Sequence, residues 1–89
     1  MNIWEQAILK IVLSLNGRAS LQQVYRILEQ GTILQLTNHD LRETRWQGRP
    51  AYQHQVRSHI SNLTQSGDLV RVGKGAYEIT EKGRERIRL

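Results

Sequence analysis

Residues 67–83, GDLVRVGKGAYEITEKG, contain two short apolar runs, 69–72 and 76–79, on either side of Gly73-Lys74-Gly75. Short runs of β-branched and aromatic residues that flank a glycine-containing turn are typical of a β-hairpin. We therefore predict that residues 69–72 pair antiparallel with residues 76–79. This arrangement places a cation between two glycines at the tip of the hairpin.

The residues after the hairpin predict a short C-terminal helix. Thr80 has the side chain of an N-cap, and Glu81 lies where the helix dipole favours negative charge. Arginines fill the last turn of this helix.

Two amphipathic helices are predicted near the N-terminus. The first covers residues 3–15 and ends at Asn16-Gly17, because both residues tolerate left-handed backbone. Ser20 and Gln23 form a capping-box pattern at the start of the second, which has Tyr25 at its edge. The apolar stripes are Ile3, Trp4, Ala7, Ile8, Ile11, Val12 and Leu15 in the first helix and Leu21, Val24, Ile27 and Leu28 in the second.

A third long helix leads directly into the hairpin. Pro50 suits its first turn, where the missing N–H costs nothing, and Ser66-Gly67 ends it. Its predicted buried stripe consists of Tyr52, Val56, Ile60 and Leu63, and the helical wheel places His59 on the same side.

Two shorter elements complete the predicted order. Arg18-Ala19 is expected to be no more than a linking strand. Thr37 or Asn38 is expected to cap a short helix that ends near Trp46-Gln47-Gly48. The order is then helix, short strand, helix, small helix, helix, hairpin, helix.

Length and composition are those of one globular domain, residues 1–89. The absence of cysteine excludes disulfides and thiolate metal sites. No apolar run approaches the roughly 18 residues of a membrane span. Glu5, Gln6 and Lys10 interrupt the N-terminal apolar stretch, which is therefore not a secretory signal. We expect a cytoplasmic protein with no membrane partner.

The positive charge is concentrated in the second half of the chain. The formal net charge is +5. Residues 1–41 are neutral overall, whereas residues 42–74 carry six cations and two carboxylates, a local charge of +4. A polyanion-binding face needs such asymmetry, although basic residues also serve as solvated surface.

The sequence offers little catalytic chemistry. His54 and His59 lie about 140° apart around a helix, so they cannot chelate one metal ion as residues four positions apart can. Gly73-Lys74-Gly75 is followed by Ala76 rather than by the Ser or Thr of a phosphate-binding loop. We therefore expect no enzymatic activity, no cofactor or metal, and no small-molecule substrate.

The order of elements is the layout of the winged helix-turn-helix fold. We predict an α+β, mostly α, domain with a three-helix core, an extra short helix, a two-stranded β wing and a short C-terminal helix. In this fold the third helix enters the major groove and the hairpin reaches toward the flanking backbone. Lys74 could approach a phosphate closely because its glycine neighbours carry no side chain, or it could simply keep the tip soluble.

The candidate DNA-binding surface lies opposite the apolar stripe of the third helix. Polar, non-acidic side chains there could pair with base edges: Gln with adenine, Arg with guanine, Ser with either. A solvated polar helix face is the alternative interpretation. Trp46 is assigned to the core and not to the site. The predicted DNA-binding residues are Arg49, Gln53, His54, Arg57, Ser58, Ser61, Arg71 and Lys74.

Residues 56–87, VRSHISNLTQSGDLVRVGKGAYEITEKGRERI, resemble the end of the winged-helix N-terminal domain of Mrr-type restriction proteins. Similar Tyr-x-Ile-Thr-Glu-Lys-Gly segments occur in several winged-helix regulator families. The Mrr nuclease uses an Asp followed by Glu-x-Lys to hold a metal ion. Here Asp68 is followed by Glu78-Ile79-Thr80, with threonine at the position where the motif requires lysine. The resemblance therefore covers the DNA-binding domain and not the nuclease.

This resemblance implies a reader of double-stranded DNA, either free-standing or as an adaptor of a restriction or transcription-regulatory system. The alternative is a winged helix that binds a protein partner or forms a homodimer without any DNA role. Winged helices serve both purposes, so the fold does not decide between them.

Overall fold

The computed structural model describes residues 2–42 and 48–88. They form a small α+β domain in which helices predominate and the strands form one antiparallel sheet. The elements are α1 (Ile3–Ser14), β1 (Arg18–Ser20), α2 (Leu21–Glu29), α3 (Asn38–Leu41), α4 (Ala51–Gln65), β2 (Leu69–Gly73), β3 (Ala76–Ile79) and α5 (Glu81–Ile87).

The predicted helix boundaries are largely confirmed, and at α2 and α3 side chains satisfy the first N–H groups. Pro50, predicted in the first turn of the third long helix, is instead the N-cap of α4, with ψ 147° and no side-chain cap. Ser20 and Gln23 form the expected reciprocal capping box at α2. Thr37 caps α3, with Asp40 completing a second capping box. Asn16 and Gly17 follow α1 with φ values of 65° and 91°.

The small helix is shorter than predicted. It ends at Leu41, and Arg42 has extended backbone with φ −74° and ψ 142°. The carbonyl of Arg42 accepts the N–H of Ala51 at 2.8 Å, so it is used to hold the start of α4. The remainder of the predicted helix, including Trp46, lies in residues 43–47, outside the described part of the chain.

The predicted hairpin is present. Leu69 lies opposite Ile79 and Arg71 opposite Tyr77, and the register shifts between Arg71 and Gly73 near the tip. Such a bulge increases the local twist of the strand.

Besides the predicted two-stranded wing, β1 pairs antiparallel with β3 and gives the strand order β1-β3-β2, so Arg18-Ala19 is more than the linking strand that was expected. Hydrogen bonds at both ends fix this third strand: Ile79 N–H donates to Gly17 O at 2.8 Å, and Leu21 N–H donates to Gly75 O at 2.9 Å. Ala19 lies between them and is buried. A three-residue strand is too short to show an alternating pattern, so the sequence did not predict this pairing.

The core lies between α1, α2, α4 and the inner face of the sheet. Its buried apolar residues are Ala7, Ile8, Leu9, Ile11, Val12, Ala19, Val24, Tyr25, Leu28, Tyr52, Val56, Ile60, Leu63, Leu69 and Ile79. Three positions differ from the predicted stripes: Leu9 is fully buried, Ile3 is 60% exposed, and Tyr25 is buried and not at an edge. Tyr25 packs edge-on against Tyr52, with ring centroids 5.9 Å apart.

A buried charge attaches α5 to the start of β2. Asp68 is fully buried, and its Oδ2 accepts the Ser66 hydroxyl and pairs with Arg86, each at 2.6 Å. The Asp68 carbonyl accepts the N–H of Thr80 at 3.0 Å. Thr80 in turn caps α5 by accepting the N–H of Gly83, as predicted.

Candidate nucleic-acid interface

Helix α4 divides into a core face and an exposed face. Tyr52, Val56, Ile60 and Leu63 are buried at the spacing of one helical stripe. The exposed positions of its second half include Arg57, Ser58, Ser61 and Gln65. The face predicted from the helical wheel is therefore exposed along this half of the helix.

The pleat of the hairpin directs a second set of side chains to the same side of the molecule. Residues two positions apart on a strand share a face of the sheet. Leu69 and Ile79 form a buried cross-strand pair, so the next pair on that face, Arg71 and Tyr77, continues beyond the core toward the tip.

Helix α4 and the hairpin enclose a groove with a volume of about 270 Å³. It is lined by Leu21, Arg57, Ile60, Ser61, Thr64, Gln65, Arg71 and Tyr77. The lining therefore contains two guanidinium groups, one from α4 and one from β2, together with hydroxyl and amide groups, and no carboxylate among the described residues.

Within residues 2–42 and 48–88, neither arginine of the groove forms an ion pair. Arg71 Nε donates to Gly73 O at 3.1 Å, which orients the side chain along its own strand. Arg86 and Arg88, by contrast, pair with Asp68 and Glu85. The positive charge of Arg57 and Arg71 is thus not neutralised by a described carboxylate.

Lys74 is exposed at the tip of the hairpin, as predicted. Gly75 follows it with a φ of 65°, a left-handed conformation that glycine adopts without strain. Lys74 does not line the groove.

Three predicted site residues lie at the other end of α4 and do not line the groove. Arg49, Gln53 and His54 are half-buried. The Gln53 amide donates to the Tyr52 hydroxyl at 3.3 Å, and that hydroxyl donates to the Glu29 carboxylate. Burial is the main cause that raises the pKa of Tyr52 to about 12, and the Glu29 carboxylate contributes in the same direction.

The structure thus brings together Arg57, Ser61 and Arg71 out of the eight predicted residues, and leaves Ser58 and Lys74 exposed outside the groove. It adds Leu21, Thr64, Gln65 and Tyr77, which were not among the predicted site residues. Tyr77 could have been found from the hairpin register, because it lies opposite Arg71.

No protein-family model, curated protein or solved structure matches the chain.

The carboxylates considered for a nuclease have other contacts in the structure. Asp68 is enclosed and paired with Arg86. Glu78 lies on the opposite face of the sheet from Tyr77 and pairs with Arg18 at 3.0 Å. The described ranges contain no cluster of three or more His, Asp or Glu residues that could hold a metal ion.

His59, which the helical wheel placed on the buried side of α4, is half-buried and contacts Glu5. Its Nδ1 lies 2.9 Å from Glu5 Oε2 and joins α4 to α1. Within the described residues, no helix combines the length and apolar character needed to cross a membrane.

Proposed function

We propose that this protein is a winged-helix DNA-binding module that places α4 in the major groove and the β2–β3 hairpin on the adjacent sugar-phosphate backbone. The observation that carries the proposal is the groove in which Arg57 of α4 and Arg71 of β2 face the same space without a described carboxylate. Guanidinium groups bind phosphate through two parallel hydrogen bonds, and such contacts position a protein on the duplex.

The arrangement of elements supports the winged-helix interpretation. We assign α2 and α4 to the helix-turn-helix pair, because α3 lies between them in sequence and the hairpin follows α4 directly. The pairing of β1 with β3 holds the base of the hairpin to the N-terminal half of the domain. The hairpin and the exposed face of α4 are thereby presented together.

The chemistry of α4 supports base contacts beside the phosphate contacts. Ser61 and Gln65 are exposed on the groove side, where a hydroxyl and an amide can donate to and accept from base edges. The core stripe of the same helix fixes its rotation, because the burial of Ile60 and Leu63 prevents the helix from turning.

Binding to duplex DNA as a function of salt tests the proposal. With about three or four phosphate contacts, log K should fall against log salt with a slope of about −3 to −4, and affinity for random sequence should be micromolar or weaker at physiological salt. Arg57→Ala and Arg71→Ala should each reduce affinity about tenfold.

Arg18→Ala is the matched control. It removes the same charge from an exposed arginine that pairs with Glu78 on the other face of the sheet. Its affinity should stay within about twofold of the parent, since a distant exposed charge is largely screened. A slope near zero, or equal losses in all three variants, would overturn the proposal.

The resemblance to Mrr-type N-terminal domains and to winged-helix regulators supports a role as a free-standing reader or an adaptor of a restriction or transcription-regulatory system. The two roles differ in the number of partners. A free-standing reader binds only DNA, whereas an adaptor binds DNA and a second protein at the same time.

A second candidate is a protein-interaction module. A smaller groove of about 160 Å³ between α1 and α5 is lined by Leu13, Arg84, Ile87 and Arg88, and its combination of apolar and basic side chains suits an acidic amphipathic segment. Leu13→Asp should abolish such binding and leave the salt-dependent binding of DNA unchanged. Binding of acidic peptide without any binding of DNA at low salt favours this candidate.

A further inference from the structure

The groove between α4 and the hairpin has an apolar floor, which phosphate contacts alone do not require. Ile60 is buried and Leu21 and Tyr77 are half-buried, whereas Arg57 and Arg71 are exposed. The charged groups are therefore the more solvent-accessible part of the lining, and the apolar groups are the more buried part.

We infer that this groove accepts a nucleotide whose base is not stacked in a duplex, with the base against Tyr77 and its phosphate at the arginines. An aromatic ring offers a stacking surface to any base. Apolar neighbours can cover the face of the base that the ring does not contact. The inference rests on the proposed function, because it concerns the same groove.

The size and polar groups of the groove fit such a ligand. Its volume of about 270 Å³ lies just below the roughly 300–1,000 Å³ of pockets for drug-sized ligands, which suits a single nucleotide and not a longer segment. Ser61, Thr64 and Gln65 line it with hydroxyl and amide groups that can hydrogen-bond to the edge of a base.

The test compares three labelled duplexes of one sequence: fully paired, with one extrahelical thymidine, and with an abasic residue in place of that thymidine. Fluorescence anisotropy gives their dissociation constants. The extrahelical thymidine should strengthen binding about tenfold, and the abasic residue should restore the value of the paired duplex.

Variants test whether the preference for the extrahelical thymidine depends on the groove. Tyr77→Leu keeps an apolar side chain but removes the ring, and should abolish the preference, whereas Tyr77→Phe should retain it. Ser61→Leu fills the groove from an exposed position and should also abolish it. Asn62→Leu introduces the same side chain at an exposed position of the same helix outside the groove and should retain the preference. If Tyr77→Leu does not fold, the comparison of Ser61→Leu with Asn62→Leu tests the inference.

Deoxythymidine 5′-monophosphate distinguishes a free nucleotide from a base within DNA. The measurement follows the NMR signals of the Leu21 and Ile60 methyl groups while the nucleotide is added. If these signals shift and the duplexes show no preference for the extrahelical base, the groove binds the free nucleotide. No preference and no shifts, with salt-dependent binding of paired duplex intact, overturn the inference and leave the proposed function standing. Methyl shifts without binding of any duplex at low salt support the inferred site but overturn the proposed function.

Discussion

Gly83 lies in the middle of α5, where its backbone packs against the carbonyl of Asp68. A Cβ atom at this position would lie 2.8 Å from Ile79 Cγ1 and closer still to the Asp68 oxygen. That oxygen is held in place because it also accepts the N–H of Thr80. The glycine is therefore required for close packing between α5 and the start of β2.

We expect Gly83→Ala to lower the free energy of unfolding by about 1–3 kcal/mol, because the added methyl group overpacks a rigid contact. At an exposed helical position the same change would raise it by up to about 1 kcal/mol. Urea unfolding followed by circular dichroism measures the difference. Glu85→Ala, an exposed change in the same helix, should alter stability by less than about 0.5 kcal/mol. A Gly83→Ala protein at least as stable as the parent would contradict this packing.

The hairpin and α4 contribute different kinds of contact to the proposed interface. The hairpin carries Lys74 at its tip, outside the groove, where a side chain can reach a phosphate without reading a base. Helix α4 presents Arg57 at the groove, beside the donors and acceptors of Ser61 and Gln65. The two elements should therefore respond differently to substitution.

We expect Lys74→Ala to weaken binding about equally on all sequences and to reduce the salt slope by about 1. Arg57→Ala should cost about 1–3 kcal/mol of binding free energy, with the larger loss on a selected site if Arg57 reads a base and an equal loss on all sequences if it contacts only phosphate. Both residues are exposed, so stability should change by less than about 0.5 kcal/mol. Anisotropy titrations of a selected and a scrambled duplex at two salt concentrations measure this pattern. If neither change affects binding in a folded protein, the hairpin tip and α4 are not the DNA-binding surface.

The local elements could be predicted from the sequence, and the contacts between distant segments could not. The caps at Ser20, Thr37 and Thr80 depend on residues within one turn, so their patterns are visible in the sequence. The pairing of β1 with β3 joins segments about 60 residues apart, and nothing in Arg18-Ala19 indicates it. Tyr25 was predicted at the edge of the apolar stripe of α2, but it is buried because its ring packs against the ring of Tyr52.

The same distinction applies to the candidate site. Arg57, Ser61 and Arg71 were predicted separately, from the helical wheel and the hairpin, but their common groove depends on how α4 packs on the sheet. Gln53 has the polar character of a base-reading residue, yet its amide contacts the Tyr52 hydroxyl. Residue type and spacing do not reveal such contacts.

Considered as a whole, the molecule uses α4 both to complete its core and to form its proposed interface. Tyr52 marks the core side of this helix: it is 1% exposed, packs on Tyr25 and donates to Glu29. Its hydroxyl must remain protonated to make that contact. Global stability should therefore depend on pH in the alkaline range.

We expect the free energy of unfolding to fall as pH rises from about 10 toward 12. Burial raises the pKa of Tyr52 from 10.0 to about 12, so the unfolded chain loses this proton first. The contribution is fully present below pH 10, and between the two pKa values it declines by up to about 1.4 kcal/mol per pH unit. Urea unfolding of the parent and of Tyr52→Phe at a series of pH values measures it. The difference between the two proteins should shrink with rising pH, and parallel curves would contradict the assignment.

The pairing of β1 with β3 also bears on how the domain is made. Arg18 and Glu78 lie opposite each other in the sheet, 60 positions apart in sequence. Closing so long a loop is entropically costly and slow compared with forming helices or the local hairpin. We therefore expect β1 to pair with β3 only after the hairpin has formed, so the three-stranded sheet should be among the last parts of the domain to fold.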